Sequence, residues 1–267
     1  MSTTRAIVLA RGLGTRMRAD DPAAVLSRAQ QQAADAGLKA MIPLNGRPFL
    51  DYILSSLADA GIDEVGLVVA PHHQPLRDYY RLEAPPVRLH LEFIVQPEPL
   101  GTADAVAAAA PWIGEHAFLT VNGDNLYPAP VLQSLAGLHE PGLPGFDRDD
   151  LIRTSNIPAD RLRSFAFIEM DEAGYLTAIV EKPEGAVPRG AAISMNCWRF
   201  DRRIFDACRE VPRSPRGEFE IPLAVALAVR QGVRFRTFRA SGPVLDLSTR
   251  ADAADVAGRL AAVVPSP

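Results

Sequence analysis

Short apolar runs and helically spaced apolar positions alternate along the first half of the chain. Runs rich in β-branched and other apolar residues predict strands at residues 5–10, 64–70, 89–96 and 116–123. Apolar residues at three- and four-residue spacing predict helices at residues 48–60 and 102–110. Strands that alternate with helices in this way are typical of βαβ units. We therefore expect an α/β fold in which a mixed, mostly parallel sheet is flanked by helices.

The second half of the chain follows a different pattern. Residues 139–162 are rich in glycine, proline and charge and show no period, so we expect a long surface excursion there. Two β-type runs then flank a turn at residues 171–174, which predicts a hairpin. The pattern closes with β-type runs and helical segments at residues 191–200, 218–231, 233–239, 243–247 and 249–263. We expect one domain over residues 1–267, divided into 1–138, a β-rich part at 139–240, and a closing strand and helix at 241–267.

Composition and charge exclude several classes of protein. The chain has 28 Lys and Arg against 32 Asp and Glu, a formal net charge of -4, which argues against a nucleic-acid binder that works by bulk positive charge. Its two cysteines, Cys197 and Cys208, are too few for a disulfide framework and suit a reducing compartment. The sequence contains no run of about 18 apolar residues, so no transmembrane helix is predicted. We expect a cytoplasmic protein without nucleic-acid or membrane partners, and a homo-oligomer stays open.

The loop after the first predicted strand is the first candidate site. Gly12 and Gly14 allow backbone N–H groups to approach a phosphate closely, and Arg16 adds positive charge. An ordinary strand-to-helix turn explains the glycines equally well, because Gly-x-Gly alone is a weak signal. A dinucleotide fingerprint is disfavoured because its third glycine is absent, and no Walker A lysine follows.

Four charged residues in other segments are further candidates. Lys39 and Lys182 are the only lysines in an arginine-biased chain, and Lys39 lies in an apolar stretch where an unpaired charge is costly. Asp124 directly follows a β-type run, and Asp246 lies at the end of another. Carboxylates at strand ends of an open α/β sheet suit Mg²⁺, which takes oxygen ligands together with substrate phosphates. Taken singly, each aspartate is more often a structural turn residue.

Taken together in chain order, these segments resemble the sugar-phosphate nucleotidylyltransferases, which include the glucose-1-phosphate thymidylyl-, uridylyl- and adenylyltransferases. The resemblance extends from Ala6 to about Ala257. It rests on Gly-Leu-Gly-Thr-Arg at 12–16, Lys39, Pro-Leu-Gly-Thr-Ala at 99–103, Gly-Asp-Asn at 123–125, Glu-Lys-Pro at 181–183 and Leu-Asp-Leu-Ser-Thr at 245–249. Residues 194–200 and 217–221 resemble two further family segments.

The resemblance implies a fold and a reaction. The fold would be the Rossmann-like, nucleotide-diphospho-sugar transferase-like sheet, with residues 1–138 as the nucleotide-binding half and 139–240 as the acceptor-binding half. The reaction would transfer a nucleotidyl group from a nucleoside triphosphate to a sugar 1-phosphate or a similar phosphate, releasing pyrophosphate. Such a transfer needs positioning and charge neutralisation, with no covalent protein intermediate.

The resemblance also implies a role for each matching residue. The implied nucleotide contacts are Ala10, Gly12, Gly14, Thr15, Arg16, Gln96, Gly101 and Thr102. The implied acceptor contacts are Asn125, Glu181, Lys182 and Asn196. Asp124 and Asp246 would hold Mg²⁺, and the catalytic set would be Arg16, Lys39, Asp124 and Lys182.

Three departures from the family pattern keep two alternatives open. Arg11 stands in place of a glycine, Asn196 in place of a sugar-pocket glycine, and Leu223 in place of an acidic helix residue. One alternative is a nucleotidyltransferase for a non-sugar phosphate, such as a cyclitol, a phosphonate or a cofactor precursor. The other is a catalytically silent subunit that binds nucleotide sugars.

The long segment between Arg16 and Lys39 predicts a lid. Asp21-Pro22 is a good helix start, alanine and glutamine dominate the residues that follow, and Gly37 is a natural stop. The apolar stripe of this helix is thin, and both of its ends join proposed triphosphate contacts. We expect a marginal helix that becomes ordered over the bound triphosphate.

Overall fold

The structure, a computed structural model, describes residues 3–12, 14–18, 26–180 and 192–267. The strands of these ranges are β1 Arg5–Leu9, β2 Pro43–Leu44, β3 Arg47–Pro48, β4 Glu64–Val69, β5 His90–Val95, β6 Phe118–Asn122, β7 Asn125–Leu126, β8 Gly142–Asp147, β9 Ala166–Met170, β10 Leu176–Val180, β11 Ala192–Ser194, β12 Trp198–Phe200, β13 Arg236–Ala240 and β14 Leu245–Asp246. The α-helices are α1 Thr15–Arg18, α2 Arg28–Asp35, α3 Phe49–Asp59, α4 Gln74–Asp78, α5 Thr102–Ala108, α6 Ala110–Ile113, α7 Ala129–Ala136, α8 Arg148–Thr154, α9 Arg203–Glu210, α10 Ile221–Arg230 and α11 Asp252–Arg259. Short 3-10 helices form at Lys39–Met41 and Arg161–Ser164, and a π-helical turn forms at Tyr79–Glu83.

One large mixed sheet organises the molecule. Its order is β10-β9-β11-β8-β12-β6-β1-β4-β5, and β13 pairs with β8. The N-terminal part, β6-β1-β4-β5, is entirely parallel. Helices cover both faces, because the apolar residues of α3 and α7 pack in one core cluster and those of α5, α9 and α10 in another. The expected α/β class and the predicted hairpin of β9 and β10 are confirmed.

The predicted surface excursion at residues 139–162 is wrong. Residues 142–147 form β8, whose first five residues are buried, and this strand lies inside the sheet between β11 and β12. A strand covered on both faces shows no polar alternation, and its glycines conceal it further. Gly142 is required by close approach, because a Cβ atom there would lie 2.5 Å from the carbonyl oxygen of Arg236 in the parallel neighbour β13.

Helix α2 is anchored by polar contacts that its thin apolar stripe does not reveal. The predicted start at Asp21-Pro22 lies outside the described residues, and the helix that the structure describes follows an N-cap at Ser27. Arg250 joins this helix to helix α1, donating from Nε to the Met17 carbonyl oxygen at 2.9 Å and from Nη1 to Gln31 Oε1 at 2.8 Å. Its opening and closing as a lid stays a prediction. Across the described ranges, every helix is too short or too polar to cross a membrane.

Candidate active site

A cavity of about 390 Å³ opens where β1 and β6 end. These two parallel strands are neighbours, so the loops after them meet at one edge of the sheet, where open α/β sheets bind their ligands. Eight of the residues predicted for the site line this cavity: Ala10, Gly12, Gly14, Arg16, Lys39, Gly101, Thr102 and Asp124. The structure therefore brings together most of the nucleotide-binding set.

Lys39 and Asp124 form an ion pair inside this cavity. A single 3-10 turn at Lys39–Met41 presents the lysine, and Asp124 lies just beyond the end of β6. Lys39 Nζ lies 2.5 Å from Asp124 Oδ2, and the two side chains are 15% and 33% exposed. The lysine predicted to be costly in an apolar stretch thus has its partner, and its ammonium remains at the cavity wall.

Asp246 lies immediately behind this pair, on β14. The short strands β14 and β7 pair antiparallel, which sets Asp246 opposite Asn125. Asp246 Oδ1 accepts hydrogen bonds from Asn125 Nδ2 at 3.0 Å and from Ser248 Oγ at 2.8 Å. Burial raises the pKa of Asp246 to about 6, and the nearby charge of Asp124 acts in the same direction, while the charges of Lys39 and Arg161 act against it.

The second oxygen of Asp246 tests whether a metal fits. Oδ2 is buried and has no hydrogen-bond partner among the described residues, a costly arrangement for a carboxylate. Oδ2 forms an ion pair with Arg161, whose Nη2 lies 3.4 Å away, outside hydrogen-bond geometry. A buried carboxylate oxygen that lacks a hydrogen bond and lies near a second carboxylate suits a hard cation such as Mg²⁺. No group of three or more His, Cys, Asp or Glu side chains clusters in the described part of the chain. Two carboxylates fit a metal that completes its shell with phosphate and water oxygens.

The loop predicted to read the nucleobase is held by internal bonds. Gln96 is only 2% exposed, and its Nε2 donates to the Gly101 carbonyl oxygen at 3.1 Å and to Asp104 Oδ2 at 2.6 Å. Gly101 has φ +120°, and a Cβ atom there would lie 2.4 Å from the carbonyl oxygen of Phe219. Gly101 lines the cavity, whereas the side chain of Gln96 is buried behind the cavity wall and holds the loop that contains Gly101.

Arg11 and Thr102 also make structural contacts beside the cavity. Arg11 donates from Nε to the Gln96 carbonyl oxygen at 2.9 Å and from Nη2 to the Pro97 carbonyl oxygen at 3.0 Å. Burial lowers the pKa of its guanidinium, and the charges of Asp104 and Glu98 partly offset this. The hydroxyl of Thr102 accepts the N–H of Ile221 at 2.9 Å. Arg11 thus joins the end of β1 to the loop after β5.

The predicted acceptor contacts are only partly placed. Glu181 and Lys182 lie outside the described residues. Asn125 is buried at 2% exposure and bonded to Asp246, so it supports the aspartate from within the core. Asn196 is half-buried with a φ of +56°, and its carbonyl oxygen lies 3.4 Å from the hydroxyl of Tyr127. Neither asparagine lines the cavity.

Sequence reasoning missed several residues of the cavity wall. Arg216, Glu218 and Ser248 line the cavity. The signal that could have found the first two is the family-like segment at residues 217–221, which contains Glu218 and directly adjoins Arg216. Arg216 is half-exposed, with Nη1 3.7 Å from Glu220 Oε1, and it adds a further cation to the Arg11, Arg16 and Lys39 that also line the cavity.

Known proteins share both the sequence pattern and the fold. A uridylyltransferase from Haloferax volcanii, "UTP--glucose-1-phosphate uridylyltransferase AglF", is 27% identical and covers 96% of each chain. A "Glucose-1-phosphate thymidylyltransferase" from Streptomyces antibioticus is 27% identical over 94% of this chain and 65% of its own. The "Low-salt glycan biosynthesis nucleotidyltransferase Agl11" of Haloferax volcanii is 26% identical over 85% of this chain and 58% of its own. The chain thus spans less than two thirds of the length of the last two relatives.

Solved structures extend the likeness of the fold. A "UDP-glucose pyrophosphorylase complexed with UDP-glucose" superposes with a TM-score of 0.75 at 18% identity, covering 97% of this chain and 99% of its own. A "UTP-bound UGPase" from Acinetobacter baumannii superposes with a TM-score of 0.76 at 17% identity, covering 98% and 95%. The profile of the nucleotidyl transferase family matches residues 5–243, a range that includes every residue lining the cavity except Ser248. By this match over most of its length, the chain belongs to the nucleotidyl transferase family.

Proposed function

We propose that this protein transfers a nucleotidyl group from a nucleoside triphosphate to a sugar 1-phosphate, giving a nucleoside diphosphate sugar and pyrophosphate. The observation that carries the proposal is the convergence of opposite charges on one cavity. Lys39, Arg16 and Arg216 supply cations at its wall, and Asp124 with Asp246 behind it supplies two carboxylates. Relatives named as glucose-1-phosphate uridylyl- and thymidylyltransferases support the same reaction.

The chemistry requires no nucleophile from the protein. A phosphate oxygen of the acceptor, already ionised at neutral pH, attacks the α-phosphorus in line, and the bond to the pyrophosphate leaving group breaks. In our proposal Lys39 neutralises the α-phosphate, Arg16 the departing pyrophosphate, and Lys182 the acceptor phosphate. Fixed cations in a partly buried cavity stabilise developing charge strongly, because little solvent has to reorganise during the reaction.

Asp124 and Asp246 would hold Mg²⁺ in this proposal. The bound cation supplies charge neutralisation at the reacting phosphates. Asp246 contributes the buried Oδ2, whose lack of a hydrogen-bond partner among the described residues supports the assignment. Asn125 and Ser248 keep the carboxylate oriented by occupying Oδ1.

The two halves of the chain would divide the substrates. Backbone groups of Ala10, Gly12, Gly14 and Thr15 would cradle the triphosphate, and Gly101 would face the nucleobase with Gln96 and Thr102 fixing its loop. Residues 139–240 would form the acceptor half, with Glu181 and Asn196 near the sugar. The buried, unlinked cysteines Cys197 and Cys208 suit the reducing cytoplasm in which we place the reaction.

A pyrophosphate-release screen tests this proposal. The purified chain is incubated with Mg²⁺, each common nucleoside triphosphate, and a panel of sugar 1-phosphates, cyclitol phosphates and phosphonates. Release with a sugar 1-phosphate supports the proposal, and release only with a non-sugar phosphate establishes the first alternative. Nucleotide binding without release establishes a silent subunit. Arg11 lines the cavity with its guanidinium held by backbone carbonyls, and Leu223 packs on the second core cluster, so neither departure replaces a member of the charge cluster.

A further inference from the structure

The two-residue strand that carries Asp246 has a strand neighbour on one side only, among the residues that the structure describes. On that side β14 pairs with β7. On the other side, the side chain of Asn156 makes the two backbone hydrogen bonds that a neighbouring strand would make. Its Nδ2 donates to the Asp246 carbonyl oxygen at 2.7 Å, and its Oδ1 accepts the Asp246 N–H at 2.8 Å. One side-chain amide therefore satisfies both backbone groups of the proposed metal ligand.

Arg161 holds the carboxylate of the same residue and the turn after it. Its Nη2 lies 3.4 Å from Asp246 Oδ2 and donates to the Asn156 carbonyl oxygen at 3.3 Å. Its Nη1 donates to both carboxylate oxygens of Asp252, at 2.8 and 2.9 Å. Asp252 Oδ2 in turn accepts the N–H of Ser248 at 3.0 Å. Ser248 is the residue whose hydroxyl fixes Asp246 Oδ1, so both carboxylate oxygens depend on Arg161.

The segment that supplies Asn156 and Arg161 is itself fixed to the core. Leu151, Ile157 and Leu162 are almost fully buried in the first core cluster. Asp150, on helix α8, accepts the N–H of Gly242 at 2.8 Å, just before β14 begins. Residues 148–162 are therefore linked to the chain before Asp246, at Asp246 itself and after it. A loop that was anchored only for stability would need such contacts at one end alone.

We propose that Asn156 and Arg161 are positioning residues that hold Asp246 with Oδ2 directed to a divalent cation. This inference rests on the metal role proposed for Asp246 above. Neither residue touches the substrate or the reacting atoms in this proposal. Replacing either residue lets the carboxylate rotate and the short strand shift, which weakens divalent-metal binding. The loss of groups that orient metal ligands commonly lowers metal affinity roughly 10- to 100-fold.

Mn²⁺ binding measures this effect apart from turnover. Mn²⁺ is titrated by electron paramagnetic resonance into wild type, Asn156→Leu, Arg161→Met and Arg161→Lys, each with the α,β-methylene analogue of the triphosphate that the screen selects. Arg153→Met is the matched control, because Arg153 lies on the same segment, pairs with Asp150 and is 76% exposed. We expect the Mn²⁺ dissociation constant to rise about tenfold or more in Asn156→Leu and in both Arg161 variants, because lysine lacks the guanidinium fork of Arg161, and to stay unchanged in the control.

Kinetic measurements on the same variants separate positioning from general damage. The Mg²⁺ concentration for half-maximal turnover rises with the Mn²⁺ constant, while the KM of the acceptor at saturating Mg²⁺ stays near the wild-type value. Unchanged Mn²⁺ affinity in folded Asn156→Leu and Arg161→Lys overturns the inference, even where Arg161→Met does not fold. Asp246→Asn is titrated alongside to test the metal role separately from the positioning role of Asn156 and Arg161. If Asp246→Asn also leaves Mn²⁺ binding unchanged, the metal role of Asp246 is wrong.

Discussion

Asp246→Asn separates the catalytic role of this residue from its effect on stability. The amide retains an oxygen for the hydrogen bonds from Asn125 and Ser248, so the local geometry survives. In the metal-free protein the folded carboxyl has a pKa of about 6, above its ordinary value of 3.8, so above pH 6 the native state holds this charge at a cost. The difference between the two pKa values corresponds to a destabilisation of the native state by about 3 kcal/mol above pH 6. This destabilisation is absent below about pH 4, where the carboxyl is protonated in both the folded and the unfolded state.

Stability and activity should therefore change in opposite senses. At pH 8 in EDTA we expect the free energy of unfolding of Asp246→Asn, from urea titration, to equal that of wild type or exceed it by up to about 3 kcal/mol. With Mg²⁺ we expect kcat/KM to fall by roughly 10²- to 10⁴-fold, since one charge is lost from a metal site worth several kcal/mol. We expect the same loss of activity in Asp124→Asn.

A buried aspartate away from the cavity provides the control. Asp51→Asn loses charge next to Arg47 and weakens the bonds from the hydroxyls of Tyr79 and Tyr80, so we expect lower stability with near wild-type turnover. Wild-type turnover in Asp246→Asn would refute the metal role. A large fall in its stability at pH 8 in EDTA would refute the reasoning from the buried charge.

Three further predictions test other parts of the site. Lys39→Ala should raise the KM of the triphosphate and Lys182→Ala that of the acceptor, and swapped effects in titrations of each substrate would contradict the two roles. Gly101→Ala should lose about 2 kcal/mol or more of unfolding free energy, because its Cβ atom would lie 2.4 Å from the carbonyl oxygen of Phe219 and φ is +120°. Urea titration measures this loss, and wild-type stability would show that the two loops can separate. Hydrogen exchange over Arg28–Asp35 should slow on binding of Mg-triphosphate, and equal, strong protection in both states would rule out a lid.

The parallel part of the sheet could be predicted because its strands are apolar runs between clear turns. The runs at residues 5–10, 64–70, 89–96 and 116–123 became β1, β4, β5 and β6 with bounds within about two residues. Strand β8 could not be predicted in this way. Residues 142–147 contain two glycines and a proline, and they are buried because neighbouring strands and helices enclose them, which no local pattern records.

The candidate site could be predicted where the motif residues are themselves the cavity wall. Lys39 and Asp124 stood out as rare or well-placed charges, and the structure pairs them. The prediction was less informative where a side chain faces inward. The family resemblance implied that Gln96 contacts the nucleotide and that Asn125 contacts the acceptor. Their side-chain amides instead donate hydrogen bonds to Asp104 and Asp246. A motif fixes which residue stands at a strand end, whereas the direction of its side chain depends on residues distant in the chain.

The surroundings of Asp246 show why this limit is physical. The groups that hold its carboxylate and backbone come from Asn125, Asn156, Arg161 and Ser248, and three of these four lie 85 or more residues away along the chain. Strands of two residues carry no periodic signal, so the pairing of β7 with β14 leaves no trace in the hydropathy pattern. A buried oxygen without a hydrogen-bond partner among the described residues exists only once all of these segments have packed together. Residues 139–162, whose glycines, prolines and charges indicate a surface excursion, instead supply both a central strand and two side chains that hold the proposed metal ligand. In a chain of this family, a polar stretch without a period is therefore a place to look for groups that position the catalytic residues.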